Sequence, residues 1–182
     1  NNWNYVTYGN GLFVSVANNG TSRVMRSSDG ITWATSSAAA ANSWTSVAYG
    51  NGLYVAVSNN GANQVMTSPD AVTWTAQSAS ASKTWQGIAY GNGLFVAVSY
   101  DGAVMTSPDG ISWTSRTPAQ ANQWYGVTYG NGLFVAVSEN GSNQVMTSPD
   151  GITWTARNAA SANLWRAVTY CNGLFVAVAF YP

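Results

Sequence analysis

Histidine is absent from this chain, cysteine occurs once, as Cys171, and only 7% of the residues are charged. Without histidine there is no Ser-His or Cys-His nucleophile system, because neither hydroxyl nor thiol has an imidazole to take its proton. One cysteine excludes an internal disulfide and a cysteine cluster for zinc. Six basic side chains balance six acidic ones, where an ordinary domain carries roughly 25% charged residues. Lacking a basic footprint for phosphate backbones, the chain is not expected to bind nucleic acid. No apolar run reaches the roughly 18 residues of a membrane helix, so no membrane insertion is expected. The chain opens on Asn1 without a signal-peptide pattern, which fits a processed, trimmed or engineered segment.

What the chain has in abundance is repetition. Gly9-Asn10-Gly11-Leu12-Phe13-Val14 returns unchanged from Gly91 and Gly130 and with one change each from Gly50, where Tyr54 replaces Phe, and from Cys171. Trp3, Trp44, Trp85, Trp124 and Trp165 are spaced 41, 41, 39 and 41 residues apart, and Trp33, Trp74, Trp113 and Trp154 follow the same rhythm. Units of this length are supersecondary motifs that bury their apolar faces against neighbours. They divide one domain, 1–182, into repeats 3–43, 44–84, 85–123 and 124–164 and a half repeat 165–182. The short interval comes from Tyr100-Asp101-Gly102-Ala103, which replaces a six-residue segment. A two-residue loss preserves the in/out alternation of flanking strands, as expected at a hairpin tip. Nine Trp and ten Tyr at fixed positions argue against disorder despite the low charge.

Each unit reads as four antiparallel strands. In the second, Trp44 to Tyr49 is a first strand and Leu53 to Val57 a second, joined through Asn51-Gly52, the preferred pair for a type I′ turn. Val65 to Thr67 is a short third strand, Pro69-Asp70 a tight turn, and Val72 to Thr75 a fourth strand carrying Trp74. The alanine-rich stretches between units are too short for helices and read as crossing loops. The fold class is all-β, a β-propeller of four-stranded antiparallel blades, five-bladed with an incomplete last blade.

Ser68-Pro69-Asp70 with Thr73 and Trp74, and the copies around Asp29, Asp109 and Asp150, resemble the Asp-box of sialidase-type (BNR-like) propellers, where the motif turns between the third and outermost strands. The usual box has one residue between Asp and Gly; here Asp109-Gly110 and Asp150-Gly151 are adjacent, and Ala71 replaces Gly in the second copy. The resemblance implies the propeller fold without the sialidase catalytic residues. A sialidase needs clustered arginines and a tyrosine nucleophile with an acidic partner, whereas Arg23, Arg26, Arg116, Arg157 and Arg166 are scattered over the repeats. The four repeated aspartates stand one per turn, short of the six to eight oxygens calcium prefers. No catalytic residue, metal or cofactor is expected.

The functional expectation is a non-enzymatic, lectin-like propeller, extracellular or cell-surface, with one weak carbohydrate site per blade. Its candidate residues are Trp3, Trp44, Trp85, Trp124 and Trp165, as stacking platforms for glycans, with Asn42, Asn122 and Asn163 as hydrogen-bonding neighbours. The other Trp series reads as core between blades. The alternative is a structural or self-assembling scaffold, engineered or truncated, forming homo-oligomers through the uncharged edge strand from Leu174 to Phe180. Cys171 replaces glycine at a position that therefore does not require positive φ, and its thiol has no activating neighbour.

Overall fold

The structure, a computed structural model, describes residues 1–180; Tyr181 and Pro182, the last positions of the half repeat, lie outside the described residues. The first blade consists of β1 (Trp3–Gly9), β2 (Leu12–Ala17), β3 (Val24–Ser27) and β4 (Ala34–Ser36). The second comprises β5 (Trp44–Gly50), β6 (Leu53–Ser58), β7 (Val65–Ser68) and β8 (Thr75–Gln77). The third comprises β9 (Trp85–Gly91), β10 (Leu94–Ser99), β11 (Val104–Ser107) and β12 (Thr114–Arg116). The fourth comprises β13 (Trp124–Gly130), β14 (Leu133–Ser138), β15 (Val145–Ser148) and β16 (Thr155–Arg157), and the half blade β17 (Trp165–Cys171) and β18 (Leu174–Ala179). Every sheet runs in sequence order with antiparallel neighbours.

The first strands of successive blades pack side by side, β1 on β5, β5 on β9, β9 on β13 and β13 on β17. Second strands are apolar at both parities because they are sandwiched: Tyr54, Val55, Ala56 and Val57 are wholly buried. Asn51 and Gly52, like the other four Asn-Gly pairs, adopt the positive φ that a type I′ turn requires. The tip Tyr100–Ala103 joins β10 to β11, as the two-residue deletion predicts. There Asp101 accepts hydrogen bonds from the Thr84 N–H and hydroxyl, the place that Asn60 and Asn140 fill for Ser43 and Gln123 in the six-residue tips.

One boundary differs from expectation. The fourth strand begins after the tryptophan, at Thr75 rather than Val72. The N–H groups of Val72 and Thr73 donate to the Asp70 carboxylate, which keeps them inside the turn and away from the ladder. Trp74 and Trp154 are buried between blades, while Trp33 and Trp113 are only half-buried.

Ala71 is the weak point of these turns. It holds φ 59°, where the other copies have Gly30, Gly110 and Gly151. In those copies the indole N–H donates to the glycine carbonyl; in the second, Trp74 Nε1 is buried without a partner. An alanine in the left-handed region costs about 1–2 kcal/mol, partly offset by its buried methyl group. Ala71→Gly is therefore expected to stabilise the protein by about 1 kcal/mol; a thermal melt with an unchanged or lower midpoint contradicts this.

The glycine that Cys171 replaces has a steric reason rather than a dihedral one. Gly9, Gly50, Gly91 and Gly130 each lie under a tyrosine of the next blade, Tyr49, Tyr90, Tyr129 and Tyr170, and a Cβ at any of them would fall inside the ring's contact distance. Positive φ is not involved. Cys171 is exposed.

Candidate functional site

Each first strand carries an irregularity at the same place. Trp44 pairs with Ser58 and Ser46 with Val57, so Thr45 is left out of the ladder; Asn4, Gln86, Tyr125 and Arg166 are left out in the same way. A bulged residue has a free side-chain direction and often re-aims a side chain at a site. All five residues line one cavity of about 880 Å³, which occupies the centre of the ring and the gap between the first blade and the half blade. Its apolar wall includes Val6, Val127, Val168, Val176 and Val178.

These positions hold five different residue types, Asn, Thr, Gln, Tyr and Arg, although the tryptophan before them never changes. The residues following each second strand vary too: Asn18, Asn59, Tyr100, Glu139 and Phe180. The two sets meet at one end of the channel. Tyr100 and Tyr125 pack edge to face with centroids 6.5 Å apart. The Arg166 guanidinium donates to the Glu139 carboxylate and lies 4.9 Å from the Tyr125 ring centre and 4.1 Å from that of Phe180. It is the one ion pair among the described residues. Asn4 donates to the Trp44 carbonyl at 2.8 Å and Thr45 to the Trp85 carbonyl at 2.9 Å, so both tie their blades to the next. Gln86 and Asn59 also line the cavity. The mouth thus offers an aromatic face, amides and one neutralised cation.

The tryptophans expected to stack on sugars are placed differently. Trp44, Trp85 and Trp124 are fully buried, and their indole N–H groups donate to Ala40, Ala81 and Gln120 carbonyls in the preceding linker. Trp165 donates likewise to Ser161 and is half-buried, as is Trp3. Asn42 and Asn122 are buried and donate to the Asn63 and Asn143 carbonyls, fastening linker to hairpin tip. Asn163 is half-buried and donates to Ser161 Oγ. Protein atoms therefore occupy the faces of three of the five indoles. The residue after tryptophan differs in all five repeats, but so does the residue before it, and Tyr5, Ser46, Gly87, Gly126 and Ala167 vary too; only the bulge shows which of these varied residues points into the channel.

The repeated aspartates do no chemistry at the mouth. Each carboxylate accepts the N–H groups two and three residues on and the hydroxyl of the preceding serine. The backbone amides, which favour the ionised form, lower the Asp29 pKa from 3.8 to about 2 and also lower those of Asp70, Asp109 and Asp150. Asp101 is lowered by the Thr84 hydroxyl and N–H. A carboxyl whose folded pKa is depressed contributes stability that is complete above its unfolded value and disappears as pH falls through the folded one. The melting midpoint is accordingly expected to be level between pH 5 and 8, with no histidine to titrate, and to drop from pH 4 towards pH 2; an unchanged midpoint at pH 2.5 contradicts this.

Fold and mouth together define a β-propeller whose repeated framework carries varied side chains at one end of its channel. The chain belongs to the DUF6242 beta propeller domain family, whose family model matches residues 34–165. No curated protein matches it. Among solved structures it is similar to YCF48 bound to D1 peptide, at 18% identity and a TM-score of 0.71 over 98% of this chain and 60% of that one. It also resembles YCF48 from Cyanidioschyzon merolae, at 15% identity and a TM-score of 0.65 over 92% and 59%. A third similar structure is the virginiamycin B lyase from Staphylococcus aureus with quinupristin, at 14% identity and a TM-score of 0.79 over 91% and 59%. The chain thus spans about 60% of the length of these proteins, and at such identities the likeness is one of fold.

Proposed function

We propose that this chain is a non-enzymatic binding propeller of the Asp-box kind, which takes a neutral carbohydrate across the channel mouth. The observation that carries the reading is the set of five bulged residues, different in every blade, that line one cavity. Tyr125 supplies a ring for the apolar face of a sugar, and Gln86 and Asn59 supply amides for its hydroxyls. Arg166, paired with Glu139, adds donors without a net charge. A binding rather than catalytic role is supported by the lack of an available carboxylate pair: Glu139 is held by Arg166, and the turn aspartates are held by backbone amides. The neighbours include both a peptide complex of YCF48 and a lyase, so their names do not choose a ligand for this chain.

The test is a glycan array followed by titration of the best oligosaccharide. Tyr125→Ala is expected to weaken binding by about tenfold, the worth of one aromatic contact, with a melting midpoint lowered by no more than about 4 °C through loss of the Tyr100 and Arg166 contacts. An array with no binder, or a titration indifferent to Tyr125 and Gln86, overturns the reading.

A further inference from the structure

The varied residues of the mouth meet across blade junctions. Tyr100, which follows the second strand of the third blade, packs on Tyr125, the bulged residue of the fourth. Glu139, which follows the second strand of the fourth blade, holds Arg166, the bulged residue of β17. The same two positions one junction earlier are Asn59 and Gln86, two amides that line the cavity. Successive junctions therefore differ in chemistry: amide, aromatic and ionic.

The ionic junction is built unevenly. The Glu139 side chain is 8% exposed and that of Arg166 37%, and Arg166 lines the cavity while Glu139 lies behind it. The Glu139 backbone is fixed by its N–H, which donates to the Gln123 carbonyl. The guanidinium donates to Glu139 through Nε alone; among the described residues its two terminal nitrogens have no hydrogen-bond partner. Such an arginine is suited to clamp a carboxylate through two parallel hydrogen bonds. A ligand carboxylate there would bring its charge beside Glu139, and like-charge juxtaposition is how a site refuses a partner. Hydroxyl and acetamido oxygens accept the same N–H groups without that repulsion.

We infer that Glu139 determines the specificity of the mouth: by neutralising Arg166 it restricts the sugar unit at this junction to uncharged ones and refuses a uronate. The inference rests on the carbohydrate reading above and deepens it. Glu139 acts through Arg166 and is a positioning residue. Removing its charge leaves an unneutralised arginine at the cavity wall, so the mouth should then favour the acidic sugar it now refuses.

The experiment titrates the best neutral oligosaccharide of the array and its singly oxidised forms, each with one hydroxymethyl group converted to a carboxylate. The parent is expected to bind at least one oxidised form tenfold more weakly than the neutral sugar. Glu139→Gln keeps the side chain's shape and an oxygen for Arg166 Nε. It should raise the affinity for that form, relative to the neutral sugar, by at least tenfold, and the gain should fade as salt rises. Adding Arg166→Gln should abolish the gain. Glu139→Asn, which copies Asn59 at the same place in the second blade, repeats the measurement should Glu139→Gln fail to fold. A parent that binds neutral and oxidised forms alike, or a ratio that neither Glu139 variant moves, overturns the inference and leaves the carbohydrate reading standing. A parent that binds no sugar overturns both.

Discussion

Gly91→Ala is expected to destabilise the protein by about 3 kcal/mol, the upper end of what one added methyl costs in a close-packed site. The new Cβ has no room, since the Tyr129 ring of the next blade covers Gly91, and moving that ring disturbs its pairing with Phe134, whose centroid lies 4.6 Å away. For a domain of this size the melting midpoint should fall by about 6–12 °C. At the fifth copy of the position a Cβ is already present, and Cys171→Ala is expected to alter stability by less than about 0.5 kcal/mol, because that residue is exposed. Equal effects at the two positions in parallel thermal melts contradict the steric account.

A larger effect is expected from Trp85→Ala. The indole is 1% exposed and packs among Val57, Val65 and Ile88, and its N–H is the hydrogen bond that closes the linker at Ala81. Truncating a buried tryptophan costs about 3–5 kcal/mol, and losing the linker bond adds about 1 kcal/mol. Trp3→Ala, at the half-buried first copy, should cost less than half as much. Denaturant titrations of the two variants provide the comparison; a larger loss at Trp3 contradicts the assignment of Trp85 to the core.

Much of this fold was legible because the repeats state each local rule several times. Asn-Gly fixed the inner hairpins, the doubly apolar second strands required layers on both sides, and the two-residue deletion located a tip. The fourth strand was misplaced at Val72 because the aspartate's capture of two N–H groups is a turn interaction that strand propensity cannot register. The tryptophans suggested sugar platforms because their spacing reveals repetition and not depth. Only the assembled ring shows that the linker before Trp44, Trp85, Trp124 and Trp165 folds over the indole edge. The mouth was hidden for a related reason. A residue after Trp44 or Trp85 reads as an ordinary strand position, and the bulge that turns it into the channel depends on pairing with the second strand. Cys171 likewise looked permissive until the tyrosine over each of the four glycines was in place.

The claim that the varied bulged residues form the binding site is tested most directly by making them uniform. A variant carrying Asn4→Thr, Gln86→Thr, Tyr125→Thr and Arg166→Thr matches Thr45 in every blade. Glu139→Asn, after Asn59, avoids stranding a buried carboxylate. Titrating the array-selected oligosaccharide into this variant and into the parent, with melting curves for both, should show a midpoint within about 4 °C, a shift of roughly 1 kcal/mol, and binding at least 100-fold weaker. Binding at parental strength in a variant that folds would contradict the account.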